Sequence, residues 1–333
     1  MKADPMSKKI LLAVFLTGSL CLVSACNDED ECVNCPGDEA PVPTMANIWP
    51  HADGTAWTFD LEYLGVVPAP DNPVKEDEIP TMEKLHAALQ IPIQGDVAAA
   101  GEGLYRIALD GMVTTQSGAV GQNFVQTFYL EMPDVPAAPV RVTRSGVDPA
   151  LAMIARARPD LRPALESRYG LEAKSLEDIG LPFFLGGYAF AYEDSGYYGY
   201  ADADTNHSWV YLEGDLSVGS EFSLQLVPAL ANDIWLHGRI WSVGERSVGG
   251  RTFQNVLECM YLIGFGEQEI SNEDGDILGT FFPYNYGTTF YAPDWGPISG
   301  IERHVAIPPE VQEGPRPLLI EYVMDLVGVT SSD

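Results

Sequence analysis

The chain has 333 residues, 46% of them hydrophobic, and its 48 acidic against 18 basic side chains give a net charge of −30. That length and hydrophobic content allow one large or two ordinary folded domains. A surface this acidic repels nucleic acid, whose binding depends on basic side chains that neutralise phosphate, and it disfavours attachment to a membrane through a basic patch.

The first distinctive segment is the apolar run Ile10–Leu22, which follows Lys8 and Lys9 and carries no charge. As a helix it is too short to cross ~30 Å of hydrocarbon, which takes about 20 apolar residues. A basic flank before a short apolar core is typical of a secretory signal peptide. A buried helix is the alternative interpretation.

The sequence Val23-Ser24-Ala25-Cys26 ends this segment and resembles the lipobox of bacterial lipoproteins. The resemblance implies that Cys26 carries acyl chains such as palmitate and becomes the first mature residue. An ordinary signal peptide cut after Ala25 does not explain the cysteine. Two or more acyl chains anchor a protein stably, since each buried CH₂ contributes about 0.8 kcal/mol. In enterobacterial lipoproteins, an Asp directly after the lipidated cysteine resembles an inner-membrane retention signal. Here Asn27 stands at that position, which favours anchoring in the outer membrane. Whether the protein faces the periplasm or the cell surface stays open.

Composition divides the chain into three predicted segments. Residues 1–25 are the signal peptide, and residues 26–45, which are acidic and contain three prolines, are a flexible tether. Residues 46–330 form the body.

A weak internal repeat is visible within the body. Gly54–Leu61 and Gly219–Leu226 share a pattern of glycine followed by alternating aromatic or apolar residues. The pattern suggests that two halves, 46–213 and 214–330, are related β-modules. Chance likeness between strands that follow turns is the alternative.

Two of the cysteines, Cys32 and Cys35, form a C-x-x-C pair in the tether. A redox pair needs a helix start or a cationic neighbour to lower the thiol pKa, whereas acids surround this one and Pro36 follows it. Zinc needs four ligands, and no second pair follows. We expect a local disulfide between Cys32 and Cys35, and a buried free thiol at Cys259 on the apolar face of a strand.

Most of the body is predicted to be strand and turn. Alternation of apolar and polar residues predicts strands at Ala56–Leu64, Leu104–Thr115, Asn123–Glu131, Val140–Thr143, Tyr188–Tyr192, Tyr197–Ala201, Ser208–Leu212, Glu221–Val227, Ile234–Glu245, Thr252–Gly266, Ile277–Pro283, Thr288–Ala292, Ile298–Ile307 and Leu318–Val327. Gly249-Gly250 and Asp274-Gly275 mark tight hairpins. Long strands joined by short turns predict a mainly β fold of the β-rich α+β class, built on a large antiparallel sheet.

Helices are few in the predicted pattern. One short helix is expected at Met82–Gln90, with Thr81 at its N-cap. A small inserted helical block is expected in three pieces, Asp148–Arg158, Asp160–Gly170 and Ser175–Asp178.

Three stretches resemble a family of uncharacterised bacterial lipoproteins. Trp49–Phe59 is similar to their G-x-x-W opening strand, Val248–Val256 to their G-x-F-x-N-V hairpin and Thr288–Ile298 to their Y-A-P-x-x-G hairpin. That family is distantly similar to the lipoprotein-carrier (localisation factor) superfamily, which implies a curved antiparallel sheet wrapped over helices. Asp294 and Trp295 depart from the usual Gly and Val of the last turn, and the family pattern carries no catalytic residues.

One acidic loop has the oxygen spacing of a calcium site. Asp202, Asp204 and Asn206, with Glu213 at the twelfth position, match an EF-hand-type loop. His207 stands where that loop needs glycine, so an ordinary Asp/Asn-rich turn is the alternative interpretation. No other cofactor is expected.

The sequence contains no strong catalytic motif, neither H-E-x-x-H nor G-x-S-x-G. It therefore favours a membrane-anchored, non-enzymatic binding or structural module of the cell envelope. The expected partner is a protein, a lipid or a glycan. Aromatic rings crowd between Tyr188 and Tyr211 as on sugar-binding faces, and the general richness of strands in tyrosine is the alternative explanation. A lipid or lipoprotein carrier with an apolar cavity is the alternative, and an envelope hydrolase is the second, because catalytic groups assemble in space.

Overall fold

The computed structural model describes most of the chain from Pro41 to Thr330. The described residues are 41–44, 47–48, 56–68, 75–91, 103–115, 122–131, 140–142, 153–155, 157–169, 189–193, 196–200, 208–213, 216–227, 230–272, 274–306 and 317–330. All of them belong to one compact unit, Val33–Asp333. The expected signal peptide and Cys26, Cys32 and Cys35 lie outside the described residues.

Strands dominate the described part of the chain. They are β1 Ala56–Pro68, β2 Gly103–Thr115, β3 Gln122–Glu131, β4 Val140–Val142, β5 Ala189–Glu193, β6 Gly196–Tyr200, β7 Ser208–Glu213, β8 Glu221–Gln225, β9 Trp235–Val248, β10 Arg251–Gly264, β11 Gln268–Ser271, β12 Ile277–Phe281, β13 Tyr284–Ala292, β14 Gly296–Ala306 and β15 Leu318–Thr330. Every predicted strand is present, with ends shifted by a few residues. The short strand β11 was not predicted.

The strands form one large antiparallel sheet, which confirms the predicted fold class. Its order is β7-β6-β5-β3-β2-β1-β15-β14-β13-β10-β9-β8, with β4 added against β3, while β11 and β12 pair as a separate hairpin. Neighbours in sequence are mostly neighbours in the sheet. β3 pairs with β5 and β10 with β13, past short intervening strands, and the longest-range pairing is that of β1 with β15, the first and last described strands.

This pairing joins two meanders of the described strands. One runs from β1 to β7 and the other from β8 to β15, and β7 and β8 lie at opposite ends of the strand order. The segment between them contains residue 214, where the predicted halves divide. Common ancestry of the halves stays a prediction.

Local backbone requirements explain two of the hairpins. Gly249 and Gly250 have φ of 59° and 81°, which glycine adopts at little cost, and they close the predicted hairpin between β9 and β10. Asp294, in the turn before β14, also has a positive φ of 66°. Aspartate tolerates this conformation better than most residues, so the turn still forms.

Helices are short, as predicted. The described ones are α1 Met82–Leu89, α2 Arg162–Tyr169, a 3-10 turn at Glu76–Glu78 and helical residues Met153–Ala155. Thr81 holds the N-cap position of α1, although its side chain makes no capping hydrogen bond. The third predicted helix, Ser175–Asp178, lies outside the described residues. None of the described helices is both long and apolar enough to cross a bilayer.

Both faces of the sheet are buried around β10. Its odd-numbered residues from Leu257 to Ile263 pack in one core with Met153, Ile154 and Leu165. Its even-numbered residues Met260 and Leu262 pack in a second core with Leu85 and Leu89 of α1. Alternate side chains of a strand point to opposite faces, so α1 and the segment containing α2 cover opposite sides. We call the side under α1 the α1 face.

The buried free thiol predicted at Cys259 is confirmed. Cys259 is 3% exposed and unpaired, and it lies on the face opposite α1. Burial raises its pKa to about 12.

Candidate functional site

Helix α1 is amphipathic and lies on the sheet through a small apolar stripe. Leu85 and Leu89, four residues apart, are buried against the second core. Residues at this spacing share one helix face, so the stripe fixes which side of α1 meets the sheet. An isolated helix of this length is unstable in water, so packing and polar contacts must hold it in place.

Two side-chain pairs connect α1 to β9 and β10. Nη1 of Arg239 donates to Oε1 of Glu83 at 2.9 Å, an exposed contact that contributes little by itself. The Nε2 atom of His86 lies 2.7 Å from Oε1 of Glu258, and only about a tenth of that carboxylate side chain is exposed. The second pair is therefore the stronger link.

A third link holds the C-terminal end of α1. The guanidinium of Arg303 donates from Nη1 to the carbonyl of Ala88 at 2.9 Å and from Nη2 to that of Ile91 at 2.6 Å. Carbonyls at a helix end lack intrahelical partners, and a cation there also favours the helix dipole. The Nε atom of Arg303 donates to the buried carboxylate of Glu321.

Glu258 is the centre of a polar group on the α1 face. It is 7% exposed, and besides the contact to His86 it accepts a hydrogen bond from Oγ of Ser242 at 2.5 Å. The imidazole of His86 stacks on Trp241, with ring centroids 3.9 Å apart and planes inclined by 19°. The register of β9 against β10 shifts at this point. Such a bulge redirects side chains and is common at binding sites.

These residues surround a cavity of about 270 Å³ between α1 and the sheet. It is lined by His86, Gln90, Ser242, Gly244, Glu245, Arg246, Val256, Glu258 and Phe290. We call it the α1 pocket. Its volume lies just below the range of about 300–1,000 Å³ that is usual for small-molecule sites, and its lining is mostly polar.

Arg246 forms the basic side of the α1 pocket. Its Nη2 donates to Oγ of Ser299 at 3.0 Å, and its guanidinium carbon lies 3.3 Å from the ring centroid of Phe290. Its Nε is buried and has no hydrogen-bond partner. Burial lowers the pKa of Arg246, against the opposing effect of the nearby carboxylates of Asp325 and Glu258.

The arrangement in the α1 pocket suits binding better than nucleophilic catalysis. In a Ser-His-acid triad the imidazole lies between the hydroxyl and the carboxylate, so that it can accept the hydroxyl proton. Here the carboxylate of Glu258 lies between Ser242 and His86, so Ser242 donates to an acid and not to a base.

A second polar cluster lies on the opposite face and is closed to solvent. Glu302, which is fully buried, accepts a hydrogen bond from Oη of Tyr261 and contacts Nε2 of His304. Burial, with the carboxylate of Glu302 next in effect, raises the pKa of Tyr261 well above its ordinary value. Because these groups are inside the core, we interpret them as a structural network.

One further serine–histidine pair is accessible. Oγ of Ser223 lies 2.5 Å from Nδ1 of His237, whose ring is 4.4 Å from that of Trp235. Burial lowers the pKa of His237, which favours the neutral imidazole. Nucleophilic catalysis also needs donors aimed at an oxyanion, and the contacts described for this pair include none.

Most site residues predicted from sequence are not among the described residues. Cys26, Cys32, Cys35, Asp202, Asp204 and Asn206 are outside the described residues. Glu213 ends β7 opposite Gly196, and its side chain is not described. The lipid anchor, the disulfide and the calcium site therefore stay predictions. Among the described residues, no group of three or more His, Cys, Asp or Glu side chains is placed to hold a metal.

Sequence reasoning missed the α1 pocket. One signal was present: Glu258 interrupts the apolar run of β10 from Val256 to Gly264, and a buried acid requires partners. Those partners are remote in sequence, since His86 is 172 positions away.

Comparison with known proteins gives only distant likenesses. No protein-family model and no curated protein matches the chain. Its structure is similar to that of a protein classed as a lipoprotein from Parabacteroides distasonis, with 9% identity, a TM-score of 0.35 and coverage of 85% of this chain and 98% of that one. A protein classed as exported, with a YmcC-like fold, from Bacteroides fragilis has 10% identity and a TM-score of 0.32, and the match covers 86% of this chain and 99% of that one. Lipovitellin, in a structure of its lipid–protein interactions, has 8% identity and a TM-score of 0.31, and the match covers 85% of this chain and 26% of that one. At these values the likeness carries no argument about function.

Proposed function

We propose that this chain is a lipid-anchored protein of the bacterial envelope, and that it binds a small polar molecule in the α1 pocket without chemically changing it. The observation that carries the proposal is the pocket itself. It is a cavity of about 270 Å³ whose central carboxylate, Glu258, is already engaged by His86 and Ser242.

The polar lining favours this function over an apolar lipid carrier. A carrier needs a cavity lined mainly by apolar side chains. In the α1 pocket the apolar lining comes from Val256 and Phe290, and the ring of Phe290 is already covered by Arg246. A ligand there meets charged and hydroxyl groups first.

Glycine 244 provides a way to block the pocket without disturbing the sheet. It lines the pocket, and a Cβ atom built on it meets no atom within 4 Å. Gly244→Leu therefore adds a side chain at the pocket wall, and the Cβ atom of that side chain meets no neighbouring atom. Gly328 in β15 is equally open and lies outside the pocket lining, so Gly328→Leu is the matched control.

The test is a thermal-shift screen of the full chain in detergent against neutral, anionic, cationic and zwitterionic small molecules. Binding to the native state raises the melting temperature, because the ligand stabilises only the folded protein. We expect at least one compound to stabilise wild type and Gly328→Leu but not Gly244→Leu. A response in all three proteins places binding elsewhere and contradicts the proposal, as does a screen without any response.

The anchor is tested separately, in cells given an alkyne-labelled palmitate. The lipobox resemblance at Cys26 supports acylation there, so wild type should take up the label and stay in the membrane fraction. Cys26→Ser should lose the label and leave that fraction. Continued labelling of Cys26→Ser would contradict anchoring at this residue.

A further inference from the structure

Arg246 has no carboxylate within ion-pair distance among the described residues. Three other arginines in the described part of the chain pair with carboxylates: Arg158 with Asp160 and Asp233, Arg239 with Glu83, and Arg303 with Glu321. Arg246 contacts the hydroxyl of Ser299 and the ring of Phe290. In a chain with 48 acidic and 18 basic residues, a half-buried arginine without a carboxylate within ion-pair distance is unexpected.

The geometry of Arg246 leaves part of its donor set unused. Its guanidinium lies over Phe290, an arrangement that fixes the plane of the group. One terminal nitrogen is used by Ser299, while Nε is buried and unpaired. A buried donor without a partner costs free energy, and each such group requires an explanation.

We infer that the α1 pocket takes a small organic anion, whose carboxylate or phosphate oxygens bind the guanidinium of Arg246. An arginine fork binds two oxygens of such a group in one plane, here through the terminal donors that Ser299 leaves unused. This inference rests on the proposed function, since it names the class of ligand for the same pocket.

The acidic side of the pocket specifies the rest of the ligand. Glu245 accepts a hydrogen bond from Gln254 at 2.5 Å, and Glu258 accepts from Ser242, yet each carboxylate keeps further acceptor positions. Hydrogen-bond donors such as hydroxyl groups fit there. The ligand class is therefore an organic anion that also carries hydroxyl groups.

Three probes separate these features when titrated into the full chain by calorimetry. Tartrate combines carboxylates with hydroxyl groups, glycerol 3-phosphate combines a phosphate with hydroxyl groups, and glycerol has the hydroxyl groups alone. We expect tartrate or glycerol 3-phosphate to bind and glycerol not to bind. The anion that binds more tightly shows whether the pocket prefers a carboxylate or a phosphate. All titrations are run at one ionic strength, because salt screens the repulsion between an anion and the chain's net charge of −30 while chloride competes for the guanidinium.

Variants of Arg246 test its role directly. Arg246→Gln removes the charge and part of the fork, and should weaken anion binding about tenfold or more. Arg246→Lys keeps the charge without the fork and should give an intermediate loss. Arg162→Gln is the control, because Arg162 pairs with Glu166 on the surface of α2, away from the pocket. Melting temperatures without ligand show that each variant is folded.

The outcomes distinguish this inference from the proposed function. Equal anion affinity in wild type and Arg246→Gln overturns the inference, and so does a failure of both anions to bind wild type. If neutral or cationic compounds bind instead, and Gly244→Leu abolishes that binding, the pocket keeps its function and only its ligand class is wrong.

Discussion

The Nε2 atom of His86 lies 2.7 Å from Oε1 of Glu258, and this contact joins α1 to a strand 172 residues further along the chain. The same two residues line the α1 pocket. One pair thus fixes the position of the helix and closes one side of the pocket. The stability of α1 and ligand binding should therefore depend on shared residues.

Replacement of His86 tests this link. His86→Ala removes a hydrogen bond to a largely buried carboxylate and the stacking on Trp241, so the free energy of unfolding should fall by about 1.5–3 kcal/mol. Urea denaturation of the full chain measures this change in the free energy of unfolding. Lys84→Ala, on the exposed side of α1, is the control and should change stability by less than about 0.5 kcal/mol. Equal effects of the two substitutions would contradict the link.

The buried pair of Arg303 and Glu321 should show strong coupling. Both side chains are at most 4% exposed, so Arg303→Met leaves a buried carboxylate without its guanidinium and should cost about 3–5 kcal/mol. Glu321→Leu in the same chain should recover part of that loss, though not the hydrogen bonds from Arg303 to Ala88 and Ile91. A double-mutant cycle from urea denaturation measures the coupling, and purely additive effects would show that the pair is not coupled.

Stability should fall in alkaline solution. Burial raises the pKa of Cys259 to about 12 and the pKa values of Tyr261 and Tyr291 well above 10. The folded state keeps these protons while the unfolded chain releases them, so the free energy of unfolding declines as pH rises above about 9. Each group contributes about 1.4 kcal/mol per pH unit between its unfolded and folded pKa.

Urea denaturation at pH 8 to 11 checks this prediction. Cys259→Ala should have a shallower decline above pH 9, because one of the three groups is gone, although its stability at pH 8 is lower from the cavity left behind. If the free energy of unfolding declines equally steeply with pH in wild type and Cys259→Ala, Cys259 has the same pKa in the folded and unfolded chain, which contradicts the prediction.

The thiol of Cys259 should also be unreactive in the native protein. A thiolate is the reactive form, and a pKa of about 12 leaves almost none at pH 8. Iodoacetamide should therefore modify the Cys259 peptide slowly in the native chain and rapidly in denaturant, as followed by mass spectrometry. Equal rates would mean that this part of β10 opens readily.

The sheet was predictable from sequence because its signals are local. The adjacent glycines Gly249 and Gly250 mark a tight turn by themselves, and an apolar run of strand length that follows them identifies β10. The hairpin strand β11 was missed because it has four residues, Gln268–Ser271, and Ile270 is the single apolar one, which is too little for a period to show. The α1 pocket was not predictable for another reason. Its contacts, such as His86 with Glu258, join residues that no local spacing relates.

Hydrogen–deuterium exchange tests pocket binding most directly. The full chain is labelled with and without a saturating amount of the compound that raises its melting temperature most. Binding in the α1 pocket predicts slower exchange in the peptides that contain α1 and residues 242–246, and no change in the β11–β12 hairpin. In Gly244→Leu, the compound should not slow exchange in the α1 peptide or in the 242–246 peptide. Unchanged exchange in the α1 and 242–246 peptides of wild type, with protection elsewhere, would contradict the assignment of the pocket.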